Sequence, residues 1–367
     1  MKISFIIGTR PELIKVAPVI AAVRKSNINF DVVNTAQHKD LLDPYWSTFA
    51  IEPTHVLDVM VPGQSLASLT ARALSQIQAY LDNVPERPSV ILAQGDTTTV
   101  MAASMVSFYN NIKFAHLEAG LRSFDFENPF PEEYNRRIAS ISAQYHFCPT
   151  HITKANLERE RVDKDKIYVV GNTVVDSLLS ISKPESFVSS SWKNSDLEKL
   201  KKFTDSVLVT CHRRENQGPN LRSIIEAISN LAKENPEIAF VWTMHPNPKV
   251  RQVVLDSELS EFNNIILVKP LEYIDILKLL KVSICAISDS GGIQEEAPSF
   301  KTPVIVMRET TERPEGVDAG VAFLVGSDKS RIRDKFNQLV RTPIDFGINP
   351  YGDGNASQII IEILRES

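Results

Sequence analysis

Short apolar runs bounded by turn residues alternate with segments of helical periodicity along this chain, and that alternation restricts its fold more than any single motif. Apolar runs recur at 3–7, 30–34, 90–93, 114–117 and 167–170. Between them, the segments 12–24, 66–81, 98–109 and 133–143 space their apolar residues along one helix face. Strand alternating with helix predicts a parallel, doubly wound α/β sheet. The rhythm restarts at 207–210 and continues through 238–244, 265–268, 284–287 and 304–307, with helical stretches at 221–232 and 274–280. A second domain of the same class follows. The Ser- and Lys-rich stretch 182–204, which contains Pro184, reads as a linker between domains 1–181 and 205–354. After the helix-breaking N-P-Y-G-D-G (349–354), the tail 355–367 holds one more helical stretch, 357–364, with no strand behind it. That helix has to dock elsewhere.

At 367 residues the chain exceeds the size at which a single core normally stops growing, in keeping with two domains. Hydrophobic residues at 43% and charged residues at 23% match a packed globular protein and exclude fibrous and disordered classes. No apolar run approaches the roughly 20 residues of a membrane span. The opening strand runs into a Gly-Thr-Arg-Pro turn rather than a small-residue cleavage site, so no secretory signal is read and a cytoplasmic location is expected. Cys148, Cys211 and Cys285 lie far apart, in or beside apolar runs, as reduced, buried thiols do. Neither Cys-x-x-Cys nor His-Glu-x-x-His occurs, so no protein metal site is expected. A net charge of −5 argues against nucleic-acid binding, and an anionic substrate would need local cations.

Cations do gather in the turns after the strands. G-T-R-P-E-L-I-K (8–15) brings Arg10 and Lys15 to a helix N-terminus, which suits an anion or a sugar. A Pro-initiated helix with a surface Arg and Lys fits the same letters equally well. The turn is not G-x-G-x-x-G, so a dinucleotide fingerprint is absent. G-D-T-T-T (95–99) puts Asp96 at the carboxyl end of a strand, where open α/β sheets bind ligands, although Asp96 or Thr97 also fits a plain N-cap. H-L-E-A-G-L-R (116–122) brings Glu118 to the same edge, as a catalytic acid or as the ion-pair partner of Arg122. P-E-E-Y-N-R (131–136) opens a helix with Pro131 at its first position and Glu132 in its first turn, where acids also complement the helix dipole. Acids converging from consecutive loops are how enzymes run general acid and base steps.

In the second half, H-R-R-E (212–215) presents His212 and Arg213 after a strand, in the manner of a phosphate grip. S-D-S-G-G-I-Q-E-E (288–296) offers Ser290, Gly291 and Gly292 for close backbone approach to a diphosphate, and Glu296 for ribose hydroxyls. The stretch 308–315 is too charged for a buried loop, and its Arg313 can reach a phosphate or carboxylate; a plain surface loop is the alternative. His38 and His245 also end strands and are secondary candidates.

Together with G-N-T-V-V-D (171–176), E-T-T-E-R-P-E (309–315) and N-P-Y-G-D-G (349–354), these blocks resemble the signature set of the non-hydrolysing UDP-N-acetylglucosamine 2-epimerases, in order and over essentially the whole chain. The resemblance implies the GT-B architecture, two Rossmann-like domains facing a cleft with the last helix crossing back to the first. It implies a homodimer that needs no added cofactor and interconverts UDP-N-acetylglucosamine and UDP-N-acetylmannosamine for polysaccharide synthesis. The family's route is loss of UDP to an enzyme-bound 2-acetamidoglucal, followed by re-addition. On that reading Asp96 and Glu132 are acid and base on the two faces of the sugar, and Glu118 supports C1 or shares the proton traffic. His212, Arg213, Arg10 and Arg313, with the backbone of 290–292, receive the diphosphate. Lys15, Gln37, His38, Arg136 and Glu296 complete the expected substrate contacts. An epimerase for a modified UDP-sugar and a hydrolysing epimerase are the nearest alternatives. Some relatives bind activating substrate at positions matching Gln37 and His245. Here Asp40 and Gly63 stand where those relatives carry a glutamine and an arginine, so a weak or silent second site is expected.

Overall fold

The computed structural model describes residues 1–37, 39–183, 187, 190–245 and 247–366, apart from the side chains of residues 39, 40, 41 and 44. His38, the side chain of Asp40 and Pro184 lie outside the described residues. The chain divides into two compact units, Met1–Ser177 with Tyr351–Ser367, and Leu178–Pro350.

The first unit is built on a seven-stranded sheet of β1 (Lys2–Ile7), β2 (Asn29–Asn34), β3 (His55–Val56), β4 (Val90–Gln94), β5 (Lys113–Leu117), β6 (Tyr145–Cys148) and β7 (Ile167–Val169). Its order is β3-β2-β1-β4-β5-β6-β7, and the pairings are parallel. Parallel strands are covered by helices on both faces, so they read as continuous apolar runs. β1 and β4 are buried at every residue, and both stand out in the sequence for that reason. β3 and β6 were not expected: β3 has two residues and β6 is Y-H-F-C, too short or too polar to signal a strand.

The terminal helix Ala356–Glu366 belongs to this unit and packs on the helix Arg10–Lys25. Ile360, Ile361 and Leu364 are buried, the Ser357 amide donates to Asp176 at 2.8 Å, and Arg365 donates to the Ser26 carbonyl at 2.7 Å. The leftover helix thus docks on the first unit, as expected.

The second unit repeats the plan with β8 (Asp205–Thr210), β9 (Ile238–Thr243), β10 (Ile265–Val268), β11 (Ser283–Ser288), β12 (Val304–Val306) and β13 (Ala322–Leu324), in the order β10-β9-β8-β11-β12-β13. Part of the stretch 182–204 is packed against this sheet. Its 3-10 helix Ser195–Lys202 buries Leu197 in the core, and Asp275 accepts the backbone amides of Lys193 and Asn194 at 3.0 and 2.8 Å.

In both sheets the strand order reverses once, between β1 and β4 and between β8 and β11. Turns on the two sides of a reversal splay apart at the carboxyl edge and leave a crevice, the usual ligand position in open α/β sheets.

Candidate active site

Around the first reversal, the turn after β1 enters the helix Arg10–Lys25 through Thr9, whose capping box uses Glu12. Glu12 is 1% exposed, and its Oε2 accepts the Gly8 and Thr9 amides at 2.5 and 3.2 Å. Its Oε1 reaches across to accept the Thr97 hydroxyl at 2.7 Å. Burial pushes this carboxyl up to about 7, against the hydrogen bonds from Gly8, Thr97 and Thr9. Gly8 has no room for a side chain, because a Cβ there would lie 2.5 Å from Thr35 Oγ1 and 2.6 Å from Thr99 Oγ1. The turns after β1, β2 and β4 therefore meet closely, and Thr99 donates to Gln37 Oε1 at 2.8 Å.

Asp96 follows β4 and accepts Arg136 at 2.5 Å, while Asn135 donates to the Asp96 carbonyl at 2.9 Å. Both partners ride on the helix Glu132–Ser142. The half-buried Glu132 is its first residue, whereas Glu133 is fully buried and bound by Arg136 at 3.3 Å and Arg137 at 3.2 Å. Glu118, after β5, takes a left-handed φ of 66° and forms a buried ion pair with Lys15. Such backbone strain concentrates at functional sites. Behind them, His116 is fully buried and bonds the Gly95 carbonyl at 2.8 Å, and burial holds its imidazole down at about 4.

In the second unit Asp289 follows β11, is fully buried, and faces the turn after β8. It accepts the His212 amide at 3.0 Å, the Arg213 amide at 2.9 Å, Asn216 Nδ2 at 2.9 Å and the His212 imidazole Nδ1 at 3.1 Å. Burial opposes its charge, but His212, Asn216 and the Arg213 amide outweigh burial and hold Asp289 at about 2. Ser290 caps the helix Gly291–Glu296. Gly291 leaves space for the Arg313 guanidinium, which a Cβ would meet at 2.7 Å, and Arg313 bonds Glu295 at 2.5 Å. Gly292 sits beside Glu296, whose Oε1 accepts the Tyr273 hydroxyl at 3.1 Å. Arg213 Nε is buried and has no hydrogen-bond partner among the described residues. Burial lowers the Arg213 pKa, and Arg308 and Arg313 add repulsion. An anion-seeking cluster results, close to a half-exposed imidazole.

The structure thus joins Lys15 with Glu118, Asp96 with Arg136, and His212 with the amide-bound Asp289. Arg10 stands apart, exposed and 5.7 Å from the Tyr45 ring centroid. His245, with its pKa lowered by burial and by His212, accepts the Asn247 amide at 3.0 Å.

Several expectations change. The alternative partner of Glu118 is not Arg122, which makes a two-point bond to Glu160 at 2.8 and 2.7 Å. Pro131 is the N-cap of its helix, not the first helical residue. The stretch 308–315 is charged yet partly buried: Arg308 is 3% exposed because Glu215 at 2.9 Å and Glu312 at 2.8 Å neutralise it. Glu12, Glu133 and Asp289 escaped the sequence reading. Glu12 had a signal, since Thr9 and Glu12 spell a capping box, but its bond to Thr97 joins turns 85 residues apart.

Two doubly wound units of this kind define a two-domain α/β enzyme of the GT-B-like class. The profile of the family described as UDP-N-acetylglucosamine 2-epimerase matches residues 21–365. The chain is 43% identical to the UDP-N-acetylglucosamine 2-epimerase of Neisseria meningitidis serogroup A over 100% of both chains. To the Escherichia coli K12 enzyme of the same name it is 41% identical, over 100% of this chain and 99% of the other. The crystal structure of UDP-GlcNAc 2-epimerase from Neisseria meningitidis bound to UDP-GlcNAc is similar with a TM-score of 0.89, at 42% identity and 100% coverage of both chains. The protein belongs to the UDP-N-acetylglucosamine 2-epimerase family.

Proposed function

We propose that the protein reversibly converts UDP-N-acetylglucosamine to UDP-N-acetylmannosamine by eliminating and re-adding UDP. The observation that carries this reading is the contrast between the units: carboxylates line the reversal of the first sheet, and cations with a histidine line that of the second. The C2 hydrogen of the sugar is not next to a carbonyl, so direct deprotonation has no stabilised carbanion to reach. In the elimination, a carboxylate removes the C2 proton, its electron pair forms the C1–C2 double bond of 2-acetamidoglucal, and the C1–O pair leaves with UDP. Asp96 and Glu132 serve as the base and acid, and Glu118 with Lys15 steadies charge at C1. Arg213, Arg313 and His212 receive the charge that develops on the diphosphate, with Asp289 fixing the imidazole. Arg10, Gln37, Arg136, Ser290, Gly291, Gly292 and Glu296 position the substrate. No cofactor is needed.

The enzyme would act in the cytoplasm as a homodimer and supply N-acetylmannosamine units for a surface polysaccharide. Support for the dimer is an apolar face on two packed helices, where Phe108, Tyr109, Tyr134 and Ile141 are 64%, 70%, 51% and 82% exposed. Incubation with UDP-N-acetylglucosamine in deuterated water, without NAD, tests the reaction. NMR should find UDP-N-acetylmannosamine carrying deuterium at C2. Product that retains the original hydrogen overturns the elimination.

A further inference from the structure

Away from these turns, at the amino ends of β6 and β7, the first unit has a cavity of about 400 Å³ lined by Arg137, His146, Glu160, Arg161, Asp163 and Lys166 among others. His146 is 1% exposed, and neither of its ring nitrogens makes a well-formed hydrogen bond among the described residues; the Ala143 backbone is an incomplete partner. Buried polar atoms are nearly always matched, so an unmatched imidazole facing a cavity points to a missing partner. Burial keeps that imidazole neutral, and the charges of Arg122 and Lys166 push in the same direction. It stands as an N–H donor in a positive field.

Of the two carboxylates in the wall, Glu160 is neutralised. Glu160 is held by Arg122 from two sides at 2.8 and 2.7 Å and by Arg137 at 3.5 Å. Asp163 accepts the Asp165 amide at 3.1 Å. Arg161 and Lys166, by contrast, make no ion pair among the described residues. Two cations without an ion pair and the buried His146 imidazole thus line a cavity whose one unneutralised acid is the exposed Asp163.

We propose that this cavity binds a phosphate group, free or as the ester of a small metabolite, through Arg161, Lys166 and the His146 imidazole. Three donors of different geometry suit the three outer oxygens of a phosphate better than the two of a carboxylate. The volume leaves room for an organic part. The position matters for turnover, because Arg137 in the wall adjoins Arg136, which holds Asp96 at 2.5 Å. On the neighbouring strand, His116 is the register partner of His146 and bonds the carbonyl of Gly95, the residue before Asp96. An occupant would press on the supports of Asp96 from two sides. Binding of the phosphate does not depend on the proposed reaction, whereas its link to turnover rests on that reading.

The test is NMR of imidazole-labelled protein saturated with UDP, titrated at constant ionic strength with inorganic phosphate, a hexose 6-phosphate or acetate. His146→Gln assigns the resonance. Both phosphates should move the His146 signal in a saturable way at millimolar concentration, with acetate about tenfold weaker or more. In the surface double variant Arg161→Gln/Lys166→Gln, affinity should fall about tenfold or more. Tighter binding of the hexose phosphate assigns the site to an ester, and tighter binding of inorganic phosphate assigns it to the free ion. An unmoved His146 signal, acetate binding as tight as phosphate, or undiminished binding in the double variant would overturn the proposal.

Discussion

The two sheets share the manner in which their strand order reverses, and each spans the reversal with one buried carboxylate, but the two carboxyls are shifted in opposite directions. Glu12 joins the turn after β1 to Thr97 beyond β4, and Asp289 joins the turn after β11 to His212 and Arg213 beyond β8. Each accepts two backbone amides. Glu12 otherwise has only hydroxyl donors, and burial lifts it to about 7. Asp289 has an imidazole and a carboxamide as well, and it stays ionised down to about 2. The same topology therefore accommodates two electrostatic designs, chosen by the donors around one side chain. A fixed anion holds the His212 imidazole and the His212 and Arg213 amides in the turn after β8.

The comparison breaks most visibly if the acids of the first unit do not carry the proton chemistry. Asp96→Asn and Glu132→Gln should each lower kcat by about 10²–10⁴-fold, the range of general acid and base catalysis. Steady-state kinetics within tenfold of the parent enzyme would remove the division of labour.

Next in size is the pH dependence of stability. Glu12 rises from 4.5 to about 7 on folding, so it contributes stability that is fully present below pH 4.5 and is lost as pH climbs through 7. At 1.36 kcal/mol per unit this amounts to about 3 kcal/mol. His116 works from the other side: lowered from 6.5 to about 4, it costs stability as pH falls between those values. Glu12→Gln should flatten the fall in Tm from pH 5 to 8 and leave the acid limb in place. An unchanged alkaline slope would show that Glu12 is ionised throughout.

Asp289→Asn should weaken UDP binding about tenfold or more by loosening His212 and Arg213, whereas Glu12→Gln should leave it within about twofold. Equal losses in both variants, read by calorimetry, would erase the contrast between the sheets. The smallest effect concerns Gln37 and His245. With Gly63, at φ 75°, lacking a side chain at the expected second site, the reverse reaction from UDP-N-acetylmannosamine alone should start without a lag. An absolute requirement for added UDP-N-acetylglucosamine would contradict that reading.

What the sequence made legible follows from range. The central strands are buried on both faces, so their letters alone declare them, and the turn motifs lie at their ends. The partners of those motifs are set by packing between turns distant in sequence. Lys15 meets Glu118 across 103 residues and Arg136 meets Asp96 across 40, and no local pattern encodes either pairing. Arg308 misled for the complementary reason. Its charge looked solvent-bound until Glu215, 93 residues away, supplied the neutralisation that permits burial.

The central claim is that the nucleotide belongs to the second unit and the proton work to the first. Calorimetric titration of UDP into Asp96→Asn and Arg213→Ala, with circular dichroism to confirm folding, tests it most directly. The account expects Asp96→Asn to bind UDP within about twofold of the parent protein while failing to turn over, and Arg213→Ala to lose about tenfold or more. Collapse of UDP binding in folded Asp96→Asn, with normal binding in Arg213→Ala, would contradict it.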